Sequence, residues 1–143
     1  MDLTTSNFNF EIDIEAMRTY SIEAGKDSPF VYLDESKRLV EITGRSTLKE
    51  AHWFYSNLLK WLIAFNTGKN RTTTVNINLE RVNDSTSKWL TLIFNKFKKI
   101  VPDSSFEINW HLKTGSPRIR QCGHLLKSHT GYRVNLLSNH RDY

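Results

Sequence analysis

The stretch TTTVNINLERVNDSTSKWLTLIFNKFKKIVP, Thr72 to Pro102, decides the fold. In its first half Val75, Ile77 and Leu79 alternate with Thr74, Asn76, Asn78 and Glu80, the period-two mark of a half-buried strand. In its second half Leu90, Ile93, Phe94, Phe97 and Val101 recur at helical spacing, and Pro102 stops the helix, which is expected to begin near Ser85. The join is Asn83, Asp84, Ser85, Thr86, Ser87 and Lys88, a hydroxyl-rich turn with one acid. Two readings of it stand. Asp, Ser and Thr are ordinary helix caps. Equally, an anion there would face unpaired backbone N–H groups and the positive end of the helix dipole, so adding or removing phosphate would change local charge sharply.

Working outward, Phe30–Leu33 and Leu39–Thr43 are short β-prone runs joined by the polar turn Asp34, Glu35, Ser36, Lys37, with Gly44 ending the second strand. From Thr47 the residues Ala51, Tyr55, Leu58, Leu62 and Phe65 form a helical stripe widened by Phe54 and Trp61. Ser46 or Thr47 is the expected cap, with Glu50 completing a capping box after Thr47 and Gly68 ending the segment. Trp53 falls off that stripe and reads either as a lone surface aromatic or as a partner contact. Later come a strand at Phe106–Leu112, a helix from Pro117 to about Lys127 burying Ile119, Leu125 and Leu126, and a strand at Tyr132–Leu137.

The order β, β, α, β, α, β, α, β predicts an α/β fold: a mixed, largely parallel sheet with right-handed crossovers, an N-terminal β-hairpin at its edge and about three helices. Residues 1–27 read as a polar leader with one candidate strand, Phe8–Ile14, and residues 28–143 as a single domain.

The chain has 143 residues, 38% of them hydrophobic, enough for one cored domain. Its start lacks the basic region and apolar block of a signal peptide, and no run reaches membrane-spanning length. Cys122 is the single cysteine, so no intramolecular disulfide can form and a cytoplasmic protein is expected. The sequons at Asn70 and Asn83 then read as chance. The net charge of +5 is concentrated late, in Lys113, Arg118, Arg120, Lys127, Arg133 and Arg141. This basic surface fits a solvated face, with a nucleic-acid-binding module as the competing reading, although it matches no recognition motif.

No catalytic, cofactor or metal constellation emerges. Gly25–Lys26 and Gly68–Lys69 lack the glycine spacing and the following hydroxyl of a P-loop. The histidines form no metal-binding helical pair, Cys122 with His124 is an incomplete ligand set, and the carboxylates make no acid–base pair. The expectation is a protein that is not an enzyme and carries no cofactor.

Three blocks in order resemble the SiaC family of bacterial regulatory phosphoproteins. The first is Gly44, Arg45, Ser46 followed by Glu50, Ala51, Phe54, Tyr55, Leu58, Leu59 and Trp61; the second is Asn83 to Lys88 before an apolar helix; the third is Ile108, Asn109, Trp110 with Gly123 beyond. The resemblance spans about residues 28–138 and implies a STAS-like fold, similar to anti-sigma-factor antagonists. It further implies a non-enzymatic adaptor. In that family a dedicated Ser/Thr kinase phosphorylates a threonine of the turn, a PP2C-like phosphatase removes the phosphate, and the unmodified form activates a diguanylate cyclase in cyclic di-GMP signalling linked to biofilm. No membrane insertion is implied.

Matching Asn83 to the motif's Asn places Asp84 where the family has its phosphorylated Thr. An Asp carries about one negative charge against roughly 1.5 to 2 for phosphothreonine and lacks the three phosphate oxygens, so it mimics modification in part. Three readings remain: a paralogue fixed in a phospho-like state, an engineered mimic, or regulation moved to Ser85 or Thr86. Lys113, Arg118 and Arg120 replace an acidic family segment, implying a partner surface of opposite charge. The expected partner contacts beyond the turn are Arg45, Ser46, Trp53, Trp89, Arg118 and Arg120.

Overall fold

The computed structural model describes residues 19–65, 72–102, 105–112 and 115–138. The elements are β1 (Thr19–Ile22), β2 (Phe30–Asp34), β3 (Leu39–Ser46), α1 (His52–Phe65), β4 (Thr72–Val82), α2 (Asp84–Ile100), β5 (Ser105–His111), α3 (Pro117–Thr130) and β6 (Arg133–Leu137). They build one six-stranded sheet in sequence order. β1, β2 and β3 pair antiparallel, and β3 through β6 pair parallel. Each parallel step crosses through a helix, with α2 packed between α1 and α3.

The alternation in the sequence becomes two faces. Val31 and Leu33, Val40 and Ile42, Val75 and Ile77, Ile108 and Trp110, and Val134 stand on the apolar side and are buried in one core with the helices. The helical stripes meet them there: Tyr55, Leu58, Leu62 and Phe65 from α1, then Leu90, Ile93, Phe94 and Phe97 from α2. Phe106 joins Phe94, Phe97 and Tyr132 at centroid separations of 5.2, 4.6 and 5.3 Å. Each such ring pair is worth about 0.5–1.5 kcal/mol beyond its buried area. The opposite face is polar. There Asn76, Asn109 and Asn135 lie in one register row, and their amides hydrogen-bond across three strands at 2.9 Å each.

Several expected boundaries move, each for a tertiary reason. β1 comes from the segment expected as a leader and pairs with β2, while Tyr20 packs on Trp61 and Phe65 of α1. The candidate strand Phe8–Ile14 lies outside the described residues. β3 does not end at Gly44 but passes through it at φ +108°, a conformation that favours glycine, and continues past a register shift to Ser46. The capping box of Thr47 and Glu50 does not form. Thr47 instead bonds Asp27 through both its backbone N–H and its hydroxyl, and α1 starts only at His52. On α3, Cys122 occupies the buried position expected for Leu125, which stays 37% exposed.

Candidate switch and partner-binding site

The chain leaves β3 and β4 at their C-terminal ends and enters α1 and α2, so both helix starts gather at the edge where parallel α/β sheets bind their ligands. The α3 start joins them, tied by Arg118.

The cap of α2 is Asn83, ahead of the acid and hydroxyls expected to supply it. Its extended backbone lets Oδ1 accept from the Thr86 N–H at 2.9 Å, while Nδ2 donates to the Leu48 carbonyl at 3.0 Å. Asp84, released from capping, is the first helical residue. Its side chain is 98% exposed, and Oδ1 lies 2.7 Å from Arg118 Nη1. A carboxylate here also faces the positive end of the α2 dipole.

Below the turn lies a buried hydroxyl network. Ser46 Oγ is 2.6 Å from both Tyr55 Oη and Thr86 Oγ1, and Thr86 Oγ1 donates to the Ser46 carbonyl. Each hydroxyl owns one proton, so the order that satisfies all three is Tyr55 to Ser46 Oγ, Ser46 to Thr86 Oγ1, and Thr86 to the carbonyl. Ser46, Tyr55 and Thr86 are all 0% exposed. Burial pushes the Tyr55 phenol well above its ordinary value, with the Ser46 hydrogen bond offsetting part of that, so it stays a neutral donor. Neither Ser46 nor Thr86 presents its hydroxyl to a partner, which corrects the expected contact at Ser46.

The turn separates two hollows. On the α3 side, about 310 Å³ is lined by Asp84, Ser87, Lys88, Arg118, Gln121 and Cys122 among others. Burial raises the Cys122 thiol to about 11, partly countered by a hydrogen bond with Ser87, so the sulfur is held as a thiol. On the α1 side, about 690 Å³ is lined by Lys49, Glu50, His52, Ser85, Lys88 and Trp89 among others. Trp53, 69% exposed, stands beside His52 at 5.1 Å, and His52 lies 6.0 Å from Trp89.

The expected contacts therefore divide. Trp89 and Arg118 line the two hollows beside the turn, whereas Trp53 and Arg120 line neither. Trp53 stands outside the hollow against His52, and Arg45 lies 4.0 Å from Glu80 instead. Lys49 and His52 line the site without having been singled out, since no local motif marks them; Tyr55, read in the sequence as part of a buried stripe, also supplies the hydroxyl that meets Ser46. Among the described residues no group of three or more His, Cys, Asp or Glu side chains could hold a metal. No helix among them is long and apolar enough to cross a membrane.

The chain is thus a one-sided α/β layer with a hydroxyl turn at a helix start, flanked by aromatic and cationic side chains. The model of the SiaC family regulatory phosphoproteins matches residues 22–139, and the chain belongs to that family. The fold agrees with crystal structures from Pseudomonas aeruginosa. Against apo-SiaC the TM-score is 0.65 at 12% identity, covering 82% of this chain and 97% of the other. Against a chain from the crystal structure of the complex between the diguanylate cyclase SiaD and its activator SiaC, it is 0.68 at 14% identity, covering 84% and 99%. No curated protein matches the chain.

Proposed function

We propose that this chain is a non-enzymatic, cytoplasmic signalling adaptor that engages a diguanylate cyclase through the surface around Asn83–Trp89, with Asp84 standing in part for a phosphorylated residue. Family membership carries the class, since the neighbouring SiaC is an activator bound to a cyclase. The contact between Asp84 and Arg118 carries the finer reading: a fixed carboxylate at the head of α2 already draws a guanidinium from α3, as a phosphate would do with more charge and more oxygens. Modification by a Ser/Thr kinase, reversed by a phosphatase, then belongs to Ser85. Thr86 is sealed by its network and Ser87 turns to Cys122, whereas Ser85 lines the open hollow beside Lys49 and Lys88. The nucleic-acid reading is disfavoured because Arg118, one of the cations it needs, is engaged by Asp84.

The test is affinity copurification from native lysate with the wild-type chain and Asp84→Thr as paired baits, recording the intact mass of each. Recovery of a diguanylate cyclase in amounts that differ between the baits is expected, with any phosphate mass lost on Ser85→Ala. Equal recovery by both baits would remove the switch at Asp84. Recovery of nuclease-sensitive material alone would remove the adaptor.

A further inference from the structure

The hollow between the loop entering α1 and the first turns of α2 sets aromatic and cationic side chains beside the turn 83–88. His52 and Trp89 place two rings along it, and Trp53 extends the aromatic surface outward with 69% of its area exposed, the largest such value among the exposed large hydrophobic residues described. Trp53 belongs neither to the core nor to the residues packed on it, so its indole adds nothing to the core and is available to a partner. Lys49 and Lys88 supply cations from the two walls. Of the two carboxylates present, Asp84 is drawn to Arg118 at 2.7 Å, which leaves Glu50 against two lysines.

We propose that this hollow is the docking groove for a partner-protein segment that presents an apolar side chain to the Trp53–His52–Trp89 surface and an adjacent carboxylate to Lys49 and Lys88. The proposal deepens the adaptor reading and takes from it that the partner is a protein. Three observations select this occupant. The volume of about 690 Å³ lies open along the surface between two walls, which suits a side-chain-bearing segment laid across it. Two lysines against Glu50 leave one cation unmatched, which suits a single carboxylate. A nucleic-acid strand would bring a phosphate at every step and meet Glu50 without a matching row of cations. Trp is also among the residue types in which interface binding energy concentrates.

Ser85 lines the same groove, so its position gives the groove a means of control. A phosphoryl group on that hydroxyl would occupy the space beside Lys49 and Lys88 and take the cations the partner's carboxylate needs. Partner release on modification follows from competition for the same two lysines, with no change of fold.

The experiment is selection of a phage-displayed random peptide library on the intact chain, followed by affinity measurement of the selected peptides against Trp53→Ala, Lys88→Glu and, as a control outside the groove, Arg120→Glu. Melting curves would show that the variants fold. Peptides pairing a large apolar residue with Asp or Glu are expected, weakened about tenfold or more by Trp53→Ala and by Lys88→Glu but unaffected by Arg120→Glu. An empty selection, peptides indifferent to Trp53→Ala, or groove-dependent capture of a single-stranded oligonucleotide in a parallel assay would overturn the proposal. The selection needs no cyclase, so the two readings fail separately. Peptides dependent on Trp53 with no cyclase bound would uphold the groove and sink the cyclase reading, whereas a cyclase bound equally by wild type and Trp53→Ala would sink the groove alone.

Discussion

Thr86 shows how one side chain fixes the turn between β4 and α2. Its backbone N–H completes the Asn83 cap, and its hydroxyl joins a network 0% exposed to solvent, so both of its polar groups are committed. Thr86→Val keeps the shape but leaves the Ser46 carbonyl without its donor and Ser46 Oγ without its acceptor. The penalty for such buried, unpaired groups is about 1–3 kcal/mol, and we expect a loss of that size in urea unfolding. Asp84, with its side chain in solvent, predicts the contrary. Its replacement should leave the unfolding midpoint nearly unchanged. The exposed acid of the turn and the hydroxyl that fixes the turn are thus two positions apart in sequence but opposite in burial.

At the scale of elements, α3 is held to the sheet by a close approach that only glycine permits. A Cβ built on Gly123 would lie 2.5 Å from Trp110 Cδ1 and 2.9 Å from Leu136 Cδ2. Trp110 cannot swing away freely, because it is 1% exposed and its Nε1 donates to the Ile119 carbonyl at 3.0 Å. Gly123→Ala gains about 1 kcal/mol in helix propensity, but overpacking at a pinned ring costs about 1–3 kcal/mol and wins. We expect a lower melting temperature and altered Trp110 fluorescence, partly restored by adding Trp110→Phe, which makes room for the methyl group. Since α3 carries Arg118, the same variant should weaken the tie to Asp84. A failure of Gly123→Ala to lower stability would show that α3 can shift without cost. The helix ends on Gly131, whose φ of 75° provides the left-handed stop before β6.

For the molecule as a whole, pH acts through the far end of the sheet as well as through its surface charge. Asp34, buried at the β2–β3 turn, is pushed upward by desolvation, but hydrogen bonds from the Ser36 hydroxyl, the Lys37 N–H and the Tyr32 hydroxyl outweigh this and hold its carboxyl below the usual range. A depressed carboxyl contributes stability above its unfolded value, near about pH 4, and loses it as pH falls through the folded value. Acid unfolding should therefore steepen below about pH 4, and Asp34→Asn should lower stability at neutral pH while flattening that limb, as melting temperatures across pH would reveal. An unchanged acid limb in that variant would place the acid sensitivity elsewhere.

The sequence by itself determined the layering. Val75, Ile77 and Leu79 against Asn76 and Asn78 set the two faces of β4, and the stripes of α1 and α2 set which helix sides face it, because burial of one side imposes a period on neighbouring residues. It also supplied the turn 83–88 with its single acid, Asp84. Only the tertiary structure decided which residue of that turn caps, which hydroxyl is sealed and which lines a groove. Ser46 and Thr86 meet across 40 positions, and Asp84 and Arg118 across 34. The edge strand β1 has four residues, too few to show a pattern, and is recognised by the neighbour it pairs with. The expected capping box at Thr47 was overruled in the same way, by a bond to Asp27 across a loop. Periodicity is a property of neighbours along the chain, whereas exposure, pairing and charge compensation depend on which distant residues the fold brings within a few ångströms.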